Sequence, residues 1–238
     1  MKNKNDFDPR CFLGIAHRGF HDEVRPENSM AAFENAVAHD LMFECDVHLT
    51  KDGEVLVSHD SDLLRMSKKP GKIEELTLEQ IRAEHKLPDG SDYPLLKDVL
   101  AMVDERVPIV VEIKVVDGNY KQIVAATLPL LSHIKNPKNI TLISFDPRAL
   151  KAAKKSPFTR GLLICEAKKW VLICRNRFDY LDIETSLVDD KRVVSYRKKG
   201  GLVNVWTVET PKLLSSVSGK VDMITFQHLP IEDVRKAH

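Results

Sequence analysis

This sequence has almost no excess charge of either sign. Its 238 residues contain 36 lysines and arginines against 35 aspartates and glutamates, which leaves a net charge of +1. Such a balance provides no long-range field that would attract nucleic acid or an anionic bilayer. We therefore expect no nucleic-acid partner, and any specificity for phosphate must be built into a pocket.

Long apolar segments are missing as well. The longest apolar runs, such as Val107 to Val111, fall far short of the roughly 20 residues that a membrane-spanning helix needs. The N-terminal stretch shows no apolar run with the small-residue cleavage site of an export signal. We expect a cytoplasmic protein without stable membrane insertion.

Two sequence signatures, one made of cysteines and one made of glycines, are also absent. Cys11, Cys45, Cys165 and Cys174 show no Cys-x-x-Cys spacing, so they are expected to be free thiols rather than a disulfide or zinc framework. The Gly-x-Gly-x-x-Gly signature of a dinucleotide-binding open sheet does not occur.

What the sequence does contain is a regular alternation of short β-branched runs with helical patterns. The strand candidates are Leu13–His17, Met42–Leu49, Pro108–Lys114, Ile140–Phe145, Gly161–Cys165, Tyr180–Glu184, Leu202–Val208 and Val221–Thr225. Asn28 or Ser29 can cap the first long helix. The helical pattern from Tyr120 to Lys135 contains Pro129, which should kink or split it.

Eight strands interleaved with helices predict a parallel sheet whose outer face is covered. At about this length the economical closure is a (β/α)8 TIM barrel, with a doubly wound open sheet as the alternative. We expect one domain over residues 1–238. The long, charged stretch at about residues 60–106 predicts a small insertion after the second strand, near the barrel mouth.

Acidic residues recur near the C-terminal ends of two predicted strands. Glu44, Asp46 and His48 share one face of their strand, and the apolar character of the other face predicts that the acids point into the lumen, with His48 below them. Glu112 repeats the pattern on the next long strand. Carboxylates buried in this way need a cation or hydrogen-bond donors to stay ionised. An all-oxygen set suits one Mg²⁺ or Ca²⁺.

Two simpler readings of these acids remain open. A solvent-exposed strand edge would account for Glu44 and Asp46 without any function. Lys114 shares a strand face with Glu112, so a buried ion pair between them would need no metal. In a phosphate site, Lys114 could instead neutralise an oxygen of the substrate.

Two histidines stand at strand ends beside the acids. His17 ends the first strand candidate, and His59 follows the short run Val55–Ser58. Phosphodiester cleavage needs a base for the nucleophile and an acid for the leaving alkoxide, and two imidazoles can supply both. Arg18 offers a planar fork for phosphate oxygens, and Trp206 could form an apolar wall for the substrate. The alternative for His17, His59 and Arg18 is that they are polar surface groups without a function. For Trp206 the alternative is ordinary packing at the top of the barrel.

Several motifs, in this order along the chain, closely resemble those of the glycerophosphodiester phosphodiesterases. They are His17-Arg18-Gly19, Pro26-Glu27-Asn28-Ser29, Glu44-Cys45-Asp46-Val47, His59-Asp60, Glu112-Ile113-Lys114 and Val205-Trp206-Thr207-Val208. The resemblance implies a barrel with a small insertion, a divalent metal on the three acids, an acid/base pair of histidines and an arginine on the phosphate. It further implies hydrolysis of small-molecule diesters such as glycerophosphocholine and glycerophosphoethanolamine to glycerol 3-phosphate and an alcohol.

Two positions depart from the family pattern. Asp40 stands where many relatives have glycine, and the last strand ends Ile224-Thr225-Phe226-Gln227-His228, where many members have a Thr-Asp or Thr-Asn pair followed by proline. Two other functions also remain open. A lysophospholipase D-type enzyme would need an apolar channel for an acyl chain, and a non-catalytic phosphodiester-binding barrel would lack at least one site residue. No motif predicts an oligomeric state.

Overall fold

The first strand of the sheet pairs with both the second and the last, and this closes the barrel. The computed structural model describes residues 2–237. Its strands are β1 (Ile15–Ala16), β2 (Met42–Leu49), β3 (Val55–Val57), β4 (Ile109–Ile113), β5 (Ile140–Ser144), β6 (Thr159–Ile164), β7 (Tyr180–Glu184), β8 (Val203–Val208) and β9 (Met223–Phe226). Ile15 pairs in parallel with Met42 of β2 and with Thr225 of β9. All strands except β3, which is antiparallel to β2, form the closed parallel barrel. The predicted TIM barrel is therefore confirmed.

Helices follow the barrel strands and cover the outer face of the sheet, except for the two helices between residues 64 and 84, which belong to the segment after β3. They are α1 (Met30–Ala38), α2 (Leu64–Ser67), α3 (Leu78–Glu84), α4 (Leu96–Val103), α5 (Tyr120–Leu130), α6 (Pro147–Ala152), α7 (Lys191–Lys198), α8 (Pro211–Val217) and α9 (Ile231–Lys236). Turns of 3-10 helix cover Lys4–Asp6, Pro9–Phe12, Ile73–Glu75, Pro137–Asn139, Ala153–Lys155, Glu166–Arg177 and Thr185–Leu187.

Local chemistry explains two of the helix ends. Ser29 is the residue that caps α1, because its Oγ accepts a hydrogen bond from the backbone N–H of Ala32 at 3.1 Å. Helix α5 ends at Leu130, one residue after Pro129, whose missing N–H leaves the carbonyl of Ala125 without its helical hydrogen bond. The helix is not split, because Pro129 lies in its last turn.

Apolar side chains fill two separate layers. Between the strands and the helices lie residues such as Phe43, Cys45 and Val47, on the face of β2 opposite the acids. The N-terminal part of the lumen is filled by a second cluster, in which the ring of Phe7 meets that of Tyr180 at 5.7 Å. Because the bottom of the lumen is packed with apolar groups, polar inward-facing side chains are left for the C-terminal mouth.

The segment after β3 forms a small insertion with its own apolar cluster, which includes Leu63, Ile73 and Ile81. By contrast, Leu96 and Val99 of α4 pack into the main layer between strands and helices. Within residues 2–237, no helix is long and apolar enough to cross a membrane.

Candidate active site at the barrel mouth

Three buried carboxylates meet at the C-terminal ends of β2 and β4. Asp46 pairs with Glu112 in the register of the two strands, and Glu44 lies two residues before Asp46 on the same face. Oxygen atoms of the three side chains all lie within 4.8 Å of one another. The residues are 3%, 1% and 7% exposed for Glu44, Asp46 and Glu112. The structure thus brings the three predicted metal ligands together.

Lys114 is the nearest cation to this cluster. Its Nζ lies 2.8 Å from Asp46 Oδ1 and 2.7 Å from Glu112 Oε1. Burial raises the pKa of Glu44 well above its usual range and also raises that of Glu112. For Asp46 burial acts in the same direction, but the charge of Lys114 prevails and holds its pKa low. Arg18 Nε lies 3.6 Å from Asp46 Oδ2, so among the described residues Glu44 is the one acid of the three without an ion-pair partner.

The hydrogen bonding of Glu44 shows whether the three carboxylates fit a cation. Its Oε2 accepts a hydrogen bond from the backbone N–H of Arg18 at 2.9 Å. Its Oε1 is buried and has no hydrogen-bond partner among the described residues. A buried carboxylate oxygen costs free energy unless a donor or cation satisfies it. With three carboxylates in reach, the site fits a hard divalent ion such as Mg²⁺ or Ca²⁺.

The turn after β1 presents Arg18 to the same cavity. Arg18 and Gly19 have positive φ angles of 54° and 82°, and the N–H of Gly19 donates to the backbone oxygen of Glu44 at 3.1 Å. A Cβ atom on Gly19 would lie 2.9 Å from that of Ala32, so the turn needs glycine both for its φ and for space. The Arg18 guanidinium lies 2.9 Å from Glu27 Oε1.

Asn28 orients one of the acids. Its Nδ2 donates to Asp46 Oδ2 at 2.8 Å, and its backbone N–H donates to the carbonyl of Arg18 at 2.9 Å. From the sequence, Asn28 was only a candidate helix cap. Because Ser29 takes the capping position, the amide of Asn28 is available for Asp46.

His59 is linked to Arg18 through a chain of ion pairs. Its Nδ1 lies 2.7 Å from Asp60 Oδ1, and Asp60 pairs with Arg65 of the insertion. Arg65 also pairs with Glu27, the partner of Arg18. The sequence motifs contained Glu27 and Asp60 but assigned neither a role, and nothing singled out Arg65. The insertion therefore contributes directly to the charge balance of the site.

His17 is the more deeply buried of the two histidines. Burial, reinforced by the charge of Arg18, lowers its pKa to about 4. Burial also lowers the pKa of His59, with Lys114 as the next contribution. Both imidazoles are therefore neutral near pH 7, and each is able to accept a proton.

His48 is not where the sequence placed it. It was expected below the acids, but it lies two residues nearer the mouth than Asp46. Its Nδ1 is 2.6 Å from Glu74 Oε1, and Glu74 belongs to the insertion. The expectation was wrong because the barrel strands run toward the mouth, so a residue that follows the acids in β2 lies above them rather than below.

An inner cavity of about 290 Å³ unites the site residues. Its lining includes His17, Arg18, Glu44, His59, Glu112, Lys114, Phe145, Asp182, Trp206 and Thr225. Of the residues predicted from sequence, Asp46 alone is not part of the lining and lies just behind it. Trp206 and Phe145 meet edge to face at 5.6 Å and form one wall of the cavity.

Asp182 is a cavity residue that the sequence did not reveal. It is 2% exposed, and burial raises its pKa to about 7. Asn204 Nδ2 donates to Asp182 Oδ1 at 2.7 Å, and Tyr180 donates to Oδ2 at 3.2 Å. Asn204 Nδ2 also lies 2.8 Å from Thr225 Oγ1. The one available signal was the alternation that puts Asp182 and Tyr180 on the same inward face of β7.

An outer groove of about 890 Å³ continues from the inner cavity, with which it shares His59, Glu112, Lys114 and Phe145. Apolar side chains along it include Val115, Val116 and Trp170. A substrate held at the acids can therefore extend from the smaller inner cavity into the larger outer groove.

Comparison with known proteins identifies the family. The family model described as the glycerophosphoryl diester phosphodiesterase family matches residues 17–232. The chain belongs to this family. It is 28% identical over 217 residues to YhdW of Bacillus subtilis (strain 168), covering 83% of this chain and 86% of that one.

Solved structures agree with this family assignment. A glycerophosphodiester phosphodiesterase from Parabacteroides distasonis has a TM-score of 0.79 and 25% identity, with 94% of this chain and 95% of that chain covered. A phosphodiesterase from Oleispira antarctica, in complex with the product sn-glycerol-3-phosphate, has a TM-score of 0.79 at 24% identity, with the same coverage. The enzyme class of this family member is accordingly that of a glycerophosphodiester phosphodiesterase.

Proposed function

We propose that this enzyme hydrolyses glycerophosphodiesters such as glycerophosphocholine and glycerophosphoethanolamine to glycerol 3-phosphate and an alcohol. In this proposal one divalent cation, Mg²⁺ or Ca²⁺, is held by Glu44, Asp46 and Glu112. The observation that carries it is the convergence of these three buried acids on one cavity with two histidines. When bound, such a cation would polarise phosphate oxygens and favour loss of a proton from a neighbouring hydroxyl.

Charged groups around the cavity suit a phosphate diester. Arg18 has a planar donor fork and Lys114 a point charge, and both line the inner cavity beside Glu44 and Glu112. Electrostatic stabilisation of a phosphorane is strong in such a water-poor site. We assign both residues to the phosphate oxygens.

The side chains that contact His59 and His17 differ in charge, and this difference favours different roles for the two histidines. The resting His59 ring is neutral, but the anionic carboxylate of Asp60 stabilises the imidazolium that forms when this ring takes up a proton, and we assign that protonated form as the general acid. His17 has a neutral amide, that of Gln227, against Nδ1 and a pKa lowered to about 4, so we assign it as the general base.

The different sizes of the two spaces, about 290 Å³ for the inner cavity and about 890 Å³ for the outer groove, give the substrate a direction. We place the glycerol 3-phosphate half in the inner cavity, where Asp182 and Thr225 can exchange hydrogen bonds with glycerol hydroxyls and Trp206 covers the carbon chain. The alcohol half then extends into the larger outer groove.

Purified enzyme, glycerophosphocholine and either Mg²⁺ or Ca²⁺ provide the direct test, with glycerol 3-phosphate assayed over time. We expect turnover that a chelator abolishes and that added cation restores. Absence of turnover with both cations would refute the substrate class, whereas turnover that resists the chelator would refute the metal site.

A second candidate substrate is a lysophospholipid with the same head groups. The observation that favours it is the outer groove, whose apolar residues Val115, Val116 and Trp170 could receive part of an acyl chain. A higher kcat/KM for lysophosphatidylcholine than for glycerophosphocholine would favour this candidate over the first. A non-catalytic barrel is not supported, because none of the expected acids, histidines or the arginine is missing from the sequence.

A further inference from the structure

The end of the last strand departs from the family pattern, and the proposed catalytic roles do not explain it. Here the side chain of Gln227 contacts three groups. Its Oε1 lies 2.7 Å from His17 Nδ1 and 3.3 Å from His21 Nε2, and its Nε2 lies 2.7 Å from Glu209 Oε1. Gln227 thus bridges a surface carboxylate and a proposed catalytic histidine.

Glu209 determines which way the Gln227 amide points. A carboxylate can only accept hydrogen bonds, so it must face the NH₂ end of the amide. The opposite orientation would place two oxygen atoms against each other at the Glu209 contact and lose this hydrogen bond. The carbonyl oxygen of Gln227 therefore faces His17.

This orientation in turn determines the tautomer of His17. An amide oxygen only accepts, so the Nδ1 atom that it contacts must carry the hydrogen. In a neutral imidazole the other nitrogen, Nε2, then has the free lone pair. Because His17 lines the inner cavity, this unprotonated Nε2 is the atom that can take a proton from a substrate.

We propose that Gln227 is a positioning residue that, held by Glu209, fixes the Nδ1–H tautomer of His17 and so prepares it to act as a base. Its catalytic consequence rests on the proposed function, whereas the tautomer itself does not. The same amide oxygen lies 3.3 Å from His21 Nε2 and can accept a second hydrogen bond there.

The test combines nitrogen NMR with kinetics. In ¹⁵N-histidine-labelled enzyme at neutral pH, with His17 assigned by comparison with His17→Ala, we expect a protonated Nδ1 and an unprotonated Nε2. Gln227→Leu removes the acceptor, so we expect this tautomer to lose its dominance. We also expect kcat for glycerophosphocholine to fall by roughly 10- to 100-fold, the size typical for loss of a group that orients a functional histidine.

Exchanging the residue types at positions 209 and 227 distinguishes loss of the His17 tautomer from general damage to the fold. The double variant Gln227→Glu with Glu209→Gln keeps an acceptor against His17 and a donor opposite it, so we expect the tautomer and most of kcat to return. Gln122→Leu, at an exposed position of α5, is the matched control. The result expected for this control is a wild-type spectrum and wild-type kcat.

Three outcomes would overturn the proposal. They are an Nε2–H tautomer in the wild type, an unchanged tautomer in Gln227→Leu, and a changed tautomer in Gln227→Leu with wild-type kcat. If wild-type enzyme fails to hydrolyse glycerophosphocholine, the proposed function fails, while the NMR spectra still decide the role of Gln227.

Discussion

Replacing Asp182 by asparagine should change how the stability of this enzyme depends on pH. Asp182 is buried in the cavity wall, and its hydrogen bonds come from the uncharged side chains of Asn204 and Tyr180. Burial without a paired cation favours the protonated form, and this raises its pKa from 3.8 to about 7. Asparagine has nearly the same shape and cannot ionise.

The size of the effect follows from the two pKa values. In the unfolded chain Asp182 ionises near pH 3.8, and in the folded enzyme near pH 7. The folded state therefore binds the extra proton between these values, so wild-type stability falls as pH rises through this window. At 1.36 kcal/mol per pKa unit the total is about 4 kcal/mol, and Asp182→Asn should lack this loss.

Urea unfolding of both proteins at several pH values between about 4 and 8 measures this difference. We expect the free energy of unfolding of Asp182→Asn, relative to wild type, to increase by about 4 kcal/mol over this range. Asp98→Asn, at an exposed position of α4, is the control and should show no such trend. A constant difference between Asp182→Asn and wild type would show that Asp182 is ionised in the folded state and would refute the reasoning.

Three further predictions concern the site. Glu44→Gln should weaken binding of Mg²⁺ or Ca²⁺ in calorimetry and reduce turnover, because it removes the charge of the unsatisfied carboxylate. The exposed control Glu34→Gln should bind like wild type, and unaltered affinity in Glu44→Gln would contradict the metal site. His59→Ala should lower kcat by roughly two to four orders of magnitude, and wild-type kcat would exclude it as the acid. Trp170→Ala should lower kcat/KM for lysophosphatidylcholine more than for glycerophosphocholine, because Trp170, 68% exposed, lines only the outer groove. Equal effects on both substrates would exclude an acyl-chain contact there.

The insertion is the part of the fold that adjusts the site from outside the barrel. Arg65 links the partner of His59 to the partner of Arg18, and Glu74 holds His48. These contacts cross between segments distant in sequence, so residues of the insertion contact His48 and the partners of His59 and Arg18 without lining the inner cavity.

The sequence by itself determined the barrel and the inward face of the acids. Strand periodicity is a local property, and an apolar Cys45 and Val47 on one face leave Glu44 and Asp46 for the other. Repetition of the pattern at Glu112 was enough to predict one site, because parallel strands of a barrel end at the same face.

Only the tertiary structure decided which partner each polar group has. Asn28 rather than Ser29 reaches Asp46, Asp182 faces the cavity, and Gln227 meets His17 across the closure of the barrel. Hydrogen-bond partners depend on which strands and loops become neighbours when the sheet closes, and periodicity along a single strand does not contain that information. The tautomer proposed for His17 is accordingly set by a residue 210 positions away in the chain.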